Sequence, residues 1–323
     1  MAGSMRFFIY GLAFSCTTVL FWGLIPIALK VSGGFADPIT LTWLRFAVSG
    51  VIVLGWQRVH GRLHEFRHLS KQEWFRLGLA GVFLIINYTC FAWGVTYLRP
   101  EAAQLGMQVA PLFLALGGMF FLREKIAPLQ WVCFTLLLVG LMVFFHPVFN
   151  RDYQGNLDQL MTGFMIILVS AICWSAYALA QKSLFAKLDS SNILLGIYLF
   201  ATVVMLPATH PSQLLTMNMT EVWIALFCCL NTVIAYGSFA QALRYWETVQ
   251  VSAVITLTPV MAFILTELCV AFGWWSDIIT PSHADTLSLM GMALVILSAI
   301  GIQVVSVMVI RREKRRIEVQ SAI

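Results

Sequence analysis

Charge is scarce in this chain: only 11% of its 323 residues are Asp, Glu, Lys or Arg, against 60% that are hydrophobic. A soluble globular domain carries about 25% charged residues, so the composition excludes a water-soluble enzyme and leaves a polytopic membrane protein. Deep charge is rarer still. No Asp or His falls within the middle of an apolar run, and the six histidines, at 60, 64, 68, 146, 210 and 283, sit in loops or at run ends. Proton relays inside membranes normally use such residues, which disfavours a pump of that design. The seven cysteines (Cys16, Cys90, Cys133, Cys173, Cys228, Cys229 and Cys269) all lie in apolar runs without metal-type spacing. They read as small packing residues rather than a zinc or disulfide framework. Groupings such as HxxE, DxxxD or Ser-His-Asp are missing too, which argues against a membrane enzyme acting on lipids or isoprenoids. No midplane cluster of Lys or Arg is available to hold a phosphate. Neither a metal nor a cofactor is expected.

What the chain does have is long apolar segments. A helix crossing the ~30 Å hydrocarbon layer needs ~20 mainly apolar residues, and such runs occur near 7–29, 39–57, 76–96, 101–122, 126–146, 161–182, 192–209, 221–243, 249–270 and 287–309. They predict an all-α protein with ten transmembrane helices. The first run is too long for a signal-peptide core and is expected to remain as a helix. With the N-terminus inside, sixteen of the 20 Lys and Arg residues fall on the cytoplasmic side, while Lys30, Arg99 and Arg151 fall outside and Arg45 lies within a span. Positive loops stay in the cytoplasm, so both termini are expected there, in a bacterial inner membrane. The net charge of +5 requires no nucleic acid; the basic tail at 310–323 and the loop at 58–76 suit anionic headgroups. The expected partners are a small-molecule substrate and the bilayer, with the chain working as a monomer or homodimer.

The sequence is also written twice. Tyr88, Phe91, Ala92, Tyr97 and Pro111 match Tyr236, Phe239, Ala240, Tyr245 and Pro259 at an offset of 148, and Trp22, Ala28 and Lys30 match Trp174, Ala180 and Lys182 at 152. Each copy holds five runs, and an odd number of crossings turns the second copy upside down relative to the first. The predicted organisation is a first five-helix repeat at 7–146, an outer linker at 147–160, an inverted second repeat at 161–309 and the basic tail. The last helices match through Gly140 and Gly301 only if extra residues, placed at 271–286, are allowed in the second half.

Several of these residues carry a specific resemblance. Tyr97-x13-Pro111-Leu112, then Leu122-Arg123-Glu124-Lys125-Ile126, together with Trp43-Leu44-Arg45-Phe46-Ala47, resemble the drug/metabolite transporter superfamily, EamA-like branch, over about residues 11–309. The second half keeps Tyr245-x13-Pro259 but has Phe272 where the counterpart of Glu124 would fall. The resemblance implies ten helices in two inverted five-helix repeats, movement of small metabolites, often outward, and peripheral fifth and tenth helices.

Candidate site residues follow from polarity in an apolar setting. Gln104 and Gln108, four apart, share a helix face, and their repeat counterparts are Ser252 and Thr256. Both faces run into a proline, Pro111 or Pro259, which removes a backbone donor and frees a carbonyl one turn earlier. With Pro26 in the first helix, these prolines are the expected helix breaks and gating points. The bland alternative is that the amides and hydroxyls only bond neighbouring helices. Trp22, Tyr88, Trp174 and Tyr236 recur at matching depths and suit either packing or the walls of a cavity; Tyr177 shares a face with Trp174, and Asn87 adjoins Tyr88. Arg45 needs a partner or water. A pair with Glu101, a substrate carboxylate and snorkelling are the three possibilities. The expected function is a secondary transporter working by alternating access, an exporter or exchanger of a small amphipathic metabolite. Amino acids and related zwitterions or cations fit, as do quaternary amines drawn by cation–π contacts; a lipid scramblase is the alternative from another class.

Overall fold

The computed structural model describes residues 2–122, 126–146, 156–246, 251, 254–281 and 284–321. The linker at 147–155, Glu124 and Ser252 lie outside the described residues, as do the side chains of the basic tail. Eleven principal helices are built: α1 (Ala2–Ser32), α2 (Pro38–Val59), α3 (Lys71–Tyr97), α4 (Pro100–Gly106), α5 (Ala110–Leu122), α6 (Pro128–Phe144), α7 (Leu157–Lys182), α8 (Ser190–Met205), α9 (Met219–Tyr245), α10 (Thr258–Ala271) and α11 (Thr286–Ser321). Among the described residues no strand forms. Eight helical stretches are long and apolar enough to cross a membrane, with α4 and α5 counted as one; α6 and α10 are apolar but shorter. Runs of this length satisfy their backbone groups in hydrocarbon internally by forming helices.

Polar caps set where the helices begin. Ser70 accepts from the Glu73 backbone N–H while Glu73 accepts from that of Ser70, and Asn218 and Glu221 do the same at the start of α9. Each box satisfies two backbone donors that the helix itself leaves unpaired. Asp37 caps α2 and Asp189 caps α8. The boxes stand 148 residues apart and the aspartates 152, the two offsets read in the sequence.

Packing follows a recurring plan. The α3 helix packs along α7 and α1 along α9; α2 lies on α8 and α6 on α11; α1 meets α10 as α5 meets α7, and α2 meets α9 as α3 meets α8. In the α6–α11 pair the glycines permit close approach: a Cβ added to Gly140 would come within 2.9 Å of the Val295 backbone, and one added to Gly301 within 2.9 Å of Cys133. The largest buried cluster, built on Phe46, Leu84, Ile193, Ile197 and Tyr198, joins α2, α3 and α8.

Candidate functional site

The helices leave a cavity of about 240 Å³ between them, slightly below the ~300–1,000 Å³ of drug-sized pockets. The α1 helix supplies Trp22, α2 Arg45, α3 Asn87 and Tyr88, the α4–α5 segment Gln104, Gln108 and Pro111, α7 Trp174, α9 Tyr236, and the approach to α10 Thr256. Nine of the eleven expected binding residues thus share one wall or another. Tyr177 does not join them. It is buried in the core beside Tyr198 and Leu184, because the helix face it shares with Trp174 is wide enough for one residue to meet the cavity and the other to pack behind it.

Local geometry explains the three prolines. Pro26 lies inside α1 and takes no part in the i→i−4 bond that would satisfy the Trp22 carbonyl. Gln104 replaces that donor, its Nε2 standing 2.6 Å from Trp22 O, while Asn231 Nδ2 donates to Phe21 O at 2.5 Å. At Pro111 the chain narrows to a 3₁₀ turn over Met107–Val109, and the Ala110 backbone N–H takes the Met107 carbonyl. Ahead of Pro259, which opens α10, the Thr258 hydroxyl donates to Ile255 O at 2.5 Å. Pro26 does not break its helix, since α1 runs unbroken from Ala2 to Ser32; each of the three prolines nevertheless frees a carbonyl that a nearby N–H or hydroxyl donor answers.

Aromatic side chains form a connected wall. The rings of Trp22 and Tyr236 meet edge-on with centroids 5.6 Å apart, Trp22 and Phe239 lie at 5.7 Å, and Tyr88 and Tyr236 stack at 6.4 Å. Tyr236 thus contacts Trp22 on one side and Tyr88 on the other. Asn87 is held by α7: its Nδ2 donates to the Ser170 carbonyl at 3.0 Å and hydroxyl at 2.8 Å, and the Ser170 hydroxyl donates back to Asn87 O.

Arg45 has not found Glu101. Its Nε donates to the Thr232 hydroxyl at 3.2 Å and its guanidinium lies 4.6 Å above the Tyr88 ring. Glu101 pairs instead with Arg99, which also reaches Glu267 at 3.4 Å and donates to the carbonyls of Thr280 and Pro281. Arg99 precedes α4 by one residue, so it meets Glu101 in the first turn more easily than Arg45 does from another helix.

The sequence reading missed Asn231 on α9 and Gln303 on α11, both of which line the cavity. Neither has a polar counterpart in the other repeat, which was the signal followed; a lone amide in the apolar run 221–243 would have marked Asn231. Gln303 also shows that the last helix is not wholly peripheral.

Taken together, membrane-length helices around a small aromatic and amide-lined chamber define a polytopic α-helical membrane protein. The chain belongs to the EamA-like transporter family, which matches it twice, at residues 9–146 and 161–307. It is 32% identical over 296 residues to an uncharacterized transporter of Haemophilus influenzae, covering 90% of this chain and 95% of that one. Similarity to the uncharacterized inner membrane transporter YhbE of Escherichia coli K12 is 30% over 290 residues, covering 90% and 89%. A probable amino-acid metabolite efflux pump of Salmonella typhimurium is 24% identical over 262 residues, covering 75% of this chain and 81% of the pump. One crystal structure aligns with TM-score 0.59 and 18% identity over 90% of this chain and 95% of its own, a likeness of fold.

Proposed function

We propose that this protein is a secondary transporter that moves a small amphipathic metabolite, an amino acid or a close relative, across the bacterial inner membrane by alternating access, as an exporter or exchanger. The observation that carries the proposal is the chamber itself, enclosed by helices from both ends of the chain and walled by rings, amides and one guanidinium. Ten spans in two inverted five-helix halves, with both termini cytoplasmic, complete the reading. It is supported by the two family matches, by the paired packing plan, by the caps repeated at both offsets, and by the eight long and two shorter apolar helices. The YhbE relative's membrane and the Salmonella relative's cargo point the same way. Rocking of one half against the other, with Pro26, Pro111 and Pro259 as flexible points, opens the chamber to each side in turn. Thr256, the counterpart of Gln108 in the second half, belongs to the same site.

The test is counterflow in liposomes. Purified protein loaded with unlabelled amino acids should accumulate labelled leucine or phenylalanine in a saturable way, and Trp174→Ala or Gln108→Leu should cut the rate at least about tenfold while the protein stays folded. Wild-type rates in both variants would place the site elsewhere.

A further inference from the structure

We infer that Arg45 is the receptor for a carboxylate on the cargo, and that the amide oxygens around it receive the cargo's N–H donors. The site then takes zwitterionic amino acids with apolar side chains and rejects the matching amines and amides. This inference rests on the reading of the chamber as a transport site.

Charge is the starting point. Arg45 is the one charged side chain that lines the cavity among the described residues, and it is only 5% exposed. No carboxylate pairs with it among the described residues. Its Nε is used by Thr232 and one face by the Tyr88 ring; the two terminal nitrogens have no protein acceptor among the described residues and are not sealed from the chamber. A buried guanidinium left without an acceptor is costly. A carboxylate fits it because the planar fork offers two parallel N–H donors to two oxygens.

The amides carry the second half of the argument. Asn87, Gln104 and Asn231 each turn the NH₂ group to a backbone carbonyl, on Ser170, Trp22 and Phe21. A carbonyl only accepts, so the amide orientation is settled by chemistry. Each amide oxygen is then left without a donor among the described residues, and none is sealed away. The lining therefore pairs one fixed cation with neutral acceptor oxygens and has no acid among the described residues. An ammonium attached to a carboxylate is satisfied there; an amine alone meets an uncompensated Arg45, and the Tyr88 face that would attract a quaternary amine is already taken. Phe91, Phe239, Met107 and Ile25 supply the apolar walls for the side chain.

Ligand-dependent melting of the purified protein separates the possibilities, since a ligand that binds the native state raises its melting temperature by mass action. The probes are leucine against leucinamide and phenylalanine against phenethylamine. Wild-type protein should bind each amino acid at least about tenfold more tightly than its partner lacking the carboxylate, since the lost contact is a charge-assisted pair with a buried guanidinium. Arg45→Gln should erase that preference. Arg45→Lys, which keeps the charge and loses the fork, should keep the preference with weaker binding and serves if the Gln variant does not fold. Leucinamide or phenethylamine binding within about twofold of the acids, or an unchanged preference in Arg45→Gln, overturns the inference while the carrier reading stands on counterflow. If no probe either shifts the wild-type melting or moves in counterflow, the inference falls together with the amino-acid reading.

Discussion

Pro26 and Gln104 illustrate how a single residue can create a demand that another, far along the chain, must meet. The proline leaves the Trp22 carbonyl without its helical donor, and the glutamine amide supplies one from α4 at 2.6 Å. Removing the amide alone strands a buried acceptor, which costs about 1–3 kcal/mol, whereas removing the cause as well is nearly neutral. Gln104→Leu is therefore expected to lower the unfolding free energy in detergent by about that amount, and Pro26→Ala with Gln104→Leu to recover most of it. A double-mutant cycle by thermal or denaturant melting measures the coupling; additive losses would mean that the pair does not act together. Residue-scale chemistry of this kind was partly legible in the sequence. Polar side chains stand out in apolar runs, so Gln104, Gln108, Asn87 and Arg45 could be picked from letters alone. Which neighbour each one meets could not: the choice of Arg99 for Glu101 and of Thr232 for Arg45 depends on rotamers and helix rotation. Tyr177 went to the core for the same reason.

At the scale of helices, the caps and the glycines decide how close and how tilted the neighbours lie. The α6–α11 contact depends on bare backbone: a Cβ at Gly140 would stand 3.0 Å from the Gly291 carbonyl and 2.9 Å from Val295 N. Small residues are what let membrane helices gain dispersion energy at short range. Gly140→Val should push the pair apart, costing about 1–3 kcal/mol as overpacking does in other cores, and should be read as a drop in melting temperature with a normal cavity-ligand preference. The Arg99 cluster binds a different set of elements. It joins the start of α4 to Glu267 of α10 and to the loop at Thr280–Pro281. Glu101 is 2% exposed and its Oε2 has no hydrogen-bond partner among the described residues, so Arg99→Ala leaves a buried carboxylate without its paired guanidinium, with Lys30 as the nearby cation. The expected loss is about 3 kcal/mol, and Glu101→Gln in the same protein should return part of it; equal stability of the single and double variants would show that the pair carries little. Helix existence and the repeat offsets were readable because apolar runs are local and the offsets periodic; the caps were not read, since a Ser, Asp or Asn in a loop marks a cap only once the helix start is known. The helix partners were not, since one apolar face fits many others equally well.

On the scale of the whole protein, the proposed alternating-access cycle gives Arg45 a consequence. In alternating access the chamber passes through a state closed to both sides, and in that state an empty chamber isolates the guanidinium from bulk water with no carboxylate beside it among the described residues. A lone cation in such surroundings is costly, whereas a bound amino acid brings the compensating charge. Return of the empty carrier should therefore be slower than return of the loaded one. Proteoliposomes loaded with labelled leucine should lose it at least about tenfold faster into a bath containing unlabelled leucine than into plain buffer, a difference in barrier of roughly 1.4 kcal/mol. With Arg45→Gln, measured at leucine concentrations high enough to offset weaker binding, the two rates should converge, because the empty chamber no longer holds a charge. Equal rates in the wild-type protein would mean that water or a solution anion relieves Arg45 in the closed state, and the carrier would then work as freely by net release as by exchange.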